Sequence, residues 1–293
     1  MISASTITLN HFKVVSKERF LKVNFFYFIM KTKELFEDFI KALKEAGEKI
    51  KEEDPNYLLV TLNGGLPLYD ALTIIDRDIE KDPNKVFYFP TSSKIKDSGK
   101  IVRNCFENFL IDKFNESDKI RKIVSLDEVL GGGSVCRLLN GYHYASRQMA
   151  KRNLKELNQK IEQTDIDNEA EKIRKRMPYK IIGLKESRSS VKISHEYKNH
   201  VKEGTIKEIP IKKIITLDDP DVQIIEWDHP GSTGWSGGNY RPRVKEFIIK
   251  ESYLNFLRSV AAYVGVDPER VGPQNLEKIR SDCLKYSKKP PKF

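Results

Sequence analysis

Two kinds of hydrophobic spacing alternate along this chain. From residue 32 to 53, Leu35, Phe36, Phe39, Ile40, Leu43, Ala46 and Ile50 share one helical face with Lys and Glu opposite, which predicts an amphipathic helix. Asp54-Pro55-Asn56 stops it. Tyr57 to Leu62 is then a short, continuous apolar run, Leu68 to Ile75 looks helical, and Val86 to Phe89 is a second short run closed by Pro90. Ile101, Val102, Cys105, Phe106, Phe109, Leu110 and Phe114 return to helical spacing before another strand-like run, Lys122 to Leu126. A helix is predicted from about Ser134 through a long charged stretch to Arg176, where Met177-Pro178 breaks it. Lys180 to Leu184 reads as a strand, residues 206–217 hold at least one more, and 244–262 and 274–286 read as helices. The basic, proline-containing tail from Lys288 is expected to be frayed.

Short apolar runs that do not alternate with polar residues suit strands buried on both faces, as in parallel sheets. Strands that alternate with helices predict an α/β fold: a doubly wound, mainly parallel sheet with flanking helices and a C-terminal helical appendage. The expected organisation is an N-terminal extension over 1–29, an α/β domain over 30–220 and a loop-and-helix appendage over 221–293.

Composition narrows the class without naming an activity. The 293 residues carry a net charge of +10, which favours phosphorylated or polyanionic partners. Arg147, Lys151, Arg152 and Lys155 can face nucleic acid, although a solvated helix face is the expected reading. Cys105, Cys136 and Cys283 are far apart and form no CxxC pair, so a cytoplasmic protein without a cysteine-based metal site is expected. Val23 to Met30 is too short for a membrane span. His195-Glu-Tyr-Lys-Asn-His200 spaces its histidines five apart, not the four of a zinc-protease helix, and no metal-ligand set is assigned.

The chemistry-bearing stretch is Ile123-Val-Ser-Leu-Asp-Glu-Val-Leu-Gly-Gly-Gly-Ser134. Adjacent carboxylates, Asp127 and Glu128, suit hydroxyl groups. The glycines and Ser134 suit a strand-to-helix turn whose N–H groups cradle a phosphate. Asn63-Gly64-Gly65-Leu66-Pro67 makes a second such turn after Tyr57 to Leu62. Thr91 to Lys100 is a polar, basic, glycine-containing stretch expected to be an exposed mobile loop. The other unusual segment, Ile224 to Arg243, mixes Gly, Trp, Tyr and Arg, either as a binding loop or as packing against the body.

The stretch from Ile123 to Ser134 resembles the ribose-5-phosphate loop of the type I phosphoribosyltransferases. The resemblance implies that Asp127 and Glu128 hold the ribose hydroxyls and that Leu130, Gly131, Gly132, Gly133 and Ser134 hold the 5-phosphate. It implies that Asn63, Gly64 and Gly65 contact the diphosphate. Lys96-Asp97-Ser98-Gly99 is similar to the lid motif of orotate-type members, so Lys94, Lys96 and Lys100 would close over that diphosphate, with Lys96 meeting the departing charge. The turn lacks the family's first threonine, Asn63 stands where Arg or Lys is common, and Ser98 replaces a histidine. The implied activity is transfer of ribose 5-phosphate from phosphoribosyl pyrophosphate to a nucleobase-like acceptor, with Mg2+ bound to the diphosphate, by a cytoplasmic enzyme that can be a homo-oligomer. The alternatives are a non-catalytic regulator on the same fold that binds a phosphosugar or nucleotide, with nucleic acid as an optional and not favoured partner, and a different nucleotide- or phosphosugar-processing enzyme sharing only the phosphate loop.

Overall fold

The computed structural model describes residues 20–62, 64–80, 82–90, 98–156, 161–187, 191–214, 251–272 and 275–291. The first element, helix α1 (Phe20–Glu53), starts ahead of the position its amphipathic face suggests. There follow β1 (Tyr57–Thr61), α2 (Leu66–Ile75), β2 (Val86–Phe89), α3 (Ser98–Lys113), β3 (Ile123–Val129) and α4 (Gly133–Glu156). The chain continues through α5 (Gln163–Arg176), β4 (Tyr179–Glu186), α6 (His195–Lys202) and β5 (Ile206–Ile211), and ends in α7 (Glu251–Val264) and α8 (Leu276–Tyr286).

The five strands form one sheet in the order β2-β1-β3-β4-β5, and every pairing is parallel. Alternate residues of each strand feed two separate cores, which is why the sequence shows apolar runs and not alternation. Leu58, Val60, Val124, Leu126, Ile182 and Leu184 pack with α1, α2 and α7 on one face. Leu59, Phe87, Phe89, Ile123 and Ile181 pack with α3, α4 and α5 on the other. The C-terminal helices belong to these cores: Tyr253, Phe256 and Leu257 of α7 join the first, and Tyr286 of α8 joins the second. No described helix is long and apolar enough to cross a membrane.

Four expectations change. The predicted long helix to Arg176 is two helices, and the second restarts where Asp165 accepts the backbone N–H of Glu162, a capping interaction that charge pattern alone does not reveal. Residues 98–100, expected in the polar loop, form the first turn of α3. Polar residues are as much at home in a helix's exposed first turn as in a loop. Strand β3 continues beyond Leu126, because Asp127, Glu128 and Val129 pair with Gly183, Leu184 and Lys185 of β4. The tail is held, not frayed: Asn108 donates to the Tyr286 and Lys288 carbonyls at 2.8 Å, Asn104 donates to Ser287 at 3.4 Å, and Arg152 donates to Pro291 at 3.4 Å.

Helix α8 also closes the β2 edge of the sheet. Asp282 Oδ2 accepts the Tyr88 N–H at 3.1 Å, satisfying an edge donor that no described strand reaches. At the opposite end of the strands, Glu53 closes α1 against β4 and β5, with Lys180 and Lys207 at 2.9 and 2.5 Å.

Candidate functional site

The chain leaves β1 for the edge strand β2, then returns past β1 to β3. This reversal makes a topological switch point at the carboxyl ends of β1 and β3, the place where doubly wound sheets bind ligands. Val60 pairs with Leu126, so Thr61 and Asp127 are the next residues up their strands and share a face. The Gly65 N–H donates to Thr61 Oγ1 at 2.9 Å, and that hydroxyl donates to Asp127 Oδ1 at 3.2 Å. The Glu128 N–H donates to the same carboxylate oxygen at 2.9 Å. Asp127 is only 4% exposed, and burial pushes its carboxyl up to about 7 against the opposing pull of the Glu128 N–H and Thr61 hydroxyl.

The double glycine follows from this closeness. A Cβ on Gly64 would lie 2.0 Å from Asp127 Oδ1, and one on Gly65 would lie 2.5 Å from the Leu126 carbonyl. Any side chain at either position would separate the β1 and β3 loops. Glu128 sits on the opposite pleat and is half-buried, with its Cγ 3.2 Å from the Gly64 Cβ position. The two carboxylates therefore meet around Gly64 with unequal exposure: Asp127 is buried and holds the two loops together, and Glu128 is half-buried.

The glycine turn is shaped from behind. Gly132 has φ +82°, and a Cβ there would come 2.5 Å from the Tyr197 ring, which is itself fixed by a 2.7 Å bond to Glu208. Three successive carbonyls of the turn are tied to the protein. Leu130 O accepts Lys185 Nζ at 2.7 Å, Gly131 O accepts the Ser194 N–H at 3.3 Å, and Gly132 O accepts the Cys136 N–H at 3.0 Å. In a trans peptide the N–H points opposite to the carbonyl, so the N–H groups of Gly131, Gly132 and Gly133 are turned away from those partners. None of the three finds a backbone acceptor among the described residues, and Gly133 opens α4 with its positive dipole end. Open N–H groups at a helix start are an anion cradle. Ser134, half-buried, lies in the first turn of α4.

The structure thus brings together Gly64, Gly65, Asp127, Glu128 and the turn from Leu130 to Ser134. Lys100 is exposed in the first turn of α3. Asn63, Lys94 and Lys96, and the segment Ile224 to Arg243, lie outside the described residues. No group of three or more His, Cys, Asp or Glu suited to a metal occurs among the described residues. Of the basic residues on α4, Arg147 pairs with Asp167 at 3.0 Å and Arg152 reaches the tail, so those two are engaged within the chain.

Sequence reading missed Thr61, Lys185, Ser194 and Tyr197. A threonine at the last position of a strand that enters a double glycine was a usable signal for Thr61. Lys185, Ser194 and Tyr197 act across the fold, and nothing local marks them. No family model matches the chain, and no curated protein or solved structure gives a significant match.

Proposed function

We propose that the switch point between β1 and β3 binds phosphoribosyl pyrophosphate and transfers its ribose 5-phosphate to a ring nitrogen of a base, releasing diphosphate. The observation that carries this reading is the glycine turn, whose carbonyls are tied to Lys185, Ser194 and Cys136 while the N–H groups of Gly131, Gly132 and Gly133 have no backbone acceptor among the described residues. A phosphate monoester fits that cradle, and the adjoining Glu128 carboxylate suits the ribose hydroxyls. Asp127 acts as the clamp that sets the spacing of the two loops. Gly64 and Gly65 would present backbone to the diphosphate, with Asn63 and the lysines Lys94, Lys96 and Lys100 as its further contacts.

Breaking the bond from the anomeric carbon to diphosphate builds positive charge on the sugar and negative charge on the leaving group. Positioning and charge neutralisation are then the main demands on the protein. Mg2+, when bound, would neutralise the diphosphate. Magnesium commonly arrives on substrate phosphates with several of its waters, and the half-buried Glu128 beside the turn would be its protein contact. The test is incubation with Mg2+ and labelled phosphoribosyl pyrophosphate against a panel of bases. Diphosphate release that depends on one base is expected; binding without release with any base overturns the transferase reading.

A non-catalytic ligand-binding role is the second reading. The buried carboxyl of Asp127, whose Oδ1 takes both the Thr61 hydroxyl and the Glu128 N–H, favours it, since one of the two acids holds the loops together. Under this reading calorimetry shows phosphoribosyl pyrophosphate or a nucleotide binding, with no turnover.

A further inference from the structure

We propose that the face formed by α3, α4 and the held C-terminal tail binds single-stranded nucleic acid. Helices α3 and α4 follow parallel strands and run side by side, so their positive N-terminal ends lie at the same edge of the molecule. Lys100 and Arg103 are neighbours three apart on α3, both exposed. Arg137 of α4 comes up beside them, its Cδ 4.0 Å from where a Cβ on Gly99 would sit. Among the described residues none of these three cations has an acidic partner. The contrast with the neighbouring arginines is sharp: Arg147, Arg174 and Arg176 pair with Asp167, Glu171 and Asp118.

The same face carries an aromatic platform. The Arg103 guanidinium lies 4.9 Å from the centroid of the Tyr144 ring, which is 39% exposed. Arginine stacked on an exposed aromatic presents a flat, cationic surface on which a base can stack. Arg137 and Tyr144 are two helical turns apart, about 10 Å, a separation that an extended strand spans in one or two nucleotides. The tail adds exposed Lys288 and Lys289 next to α3, because Asn104 and Asn108 hold its carbonyls. Cations without acidic partners beside an exposed stacking surface are the features of a sequence-tolerant single-strand site, and of these residues Arg103, Arg137 and Tyr144 take no part in the chemistry proposed between β1 and β3.

The experiment is fluorescence anisotropy of a labelled oligothymidylate of about 20 nucleotides, an unstructured probe, at about 50 and 200 mM salt. The expected result is salt-sensitive binding by the wild-type protein. Arg103→Glu with Arg137→Glu should weaken it at least ~10-fold and flatten the salt slope by about 1.4, the value for two lost single-strand phosphate contacts. Arg103→Gln with Arg137→Gln should weaken it less, which keeps the test valid if the charge reversal disturbs folding. Tyr144→Ala should weaken binding ~5-fold or more even at the higher salt, where stacking outlasts charge. The control is Lys172→Glu with Lys175→Glu on α5, two lysines each 76% exposed, which removes the same charge elsewhere. Equal weakening by that control, no effect of the α3–α4 variants, or equally effective competition by oligoglutamate of matched charge would each overturn the proposal.

Discussion

Asp127 is the residue on which the two loops depend, and its burial makes a signed prediction. Its carboxyl titrates near 7 in the folded chain against about 4 when unfolded, so between those values the folded state holds the extra proton. Stability is unaffected by this group below about pH 4, falls as pH rises from 4 to 7, and levels off above that. Asparagine keeps an acceptor for the Thr61 hydroxyl and cannot ionise. Asp127→Asn should therefore gain on the wild type as pH rises, by up to roughly 4 kcal/mol, read from urea unfolding at several pH values. A gap between the two proteins that does not change with pH would refute the assignment. The neighbouring glycines give a second pair of outcomes. Gly132→Ala combines a φ of +82° with a clash on the Tyr197 ring and should cost about 2 kcal/mol or more. Gly133→Ala meets nothing within 4 Å at a helix start and should be neutral or stabilising by up to ~1 kcal/mol.

Whole elements are fastened by a few polar contacts at their ends. Glu53 joins the last turn of α1 to Lys180 of β4 and Lys207 of β5, and although its burial opposes ionisation, those two lysines hold its carboxyl below the usual range. Glu53→Gln leaves two half-buried lysines without their carboxylate and should cost roughly 2–4 kcal/mol at neutral pH, checked by denaturant midpoint. Asp282 plays the same part for the sheet edge. Asp282→Ala should leave the Tyr88 N–H without its acceptor and speed its amide exchange while central strands stay protected. The strands were legible because burial on both faces writes a continuous apolar run, as at Tyr57 to Leu62 and Val86 to Phe89. The acids were legible as a pair, but not their unequal burial. That inequality comes from the pleat and from Thr61 on the neighbouring strand. The break before α5 and the held tail were not legible, because Asp165, Asn104 and Asn108 act through hydrogen bonds that leave no hydrophobic period.

At the scale of the molecule, opposing titrations bound the pH range of greatest stability. Glu53, Asp112, Glu116 and Glu171 have folded-state carboxyls below their ordinary values, despite burial that opposes the shift at all four and is the largest single influence at the first three, through hydrogen bonds to Lys207, Lys285, Lys113 and Arg174 respectively. Their contributions are present above the ordinary carboxylate range and are lost on acidification. Asp127 acts in the reverse sense as pH rises toward 7. Urea midpoints should therefore peak near pH 5–6, and Asp127→Asn should move that peak upward. A wild-type maximum above pH 8 would contradict the burial of Asp127.

The closure of β2 by α8 also has a consequence in time. Tyr88 and the aspartate that accepts its N–H are 194 residues apart in the chain. During synthesis at about 5–20 residues per second, β2 is made about 10–40 s before its cap exists. For that interval any sheet that has formed carries an open strand edge, with Phe87 and Phe89 awaiting Tyr286. The nascent chain is thus exposed to strand pairing with its neighbours, and its demand for a chaperone should rise with β2 and end when α8 docks.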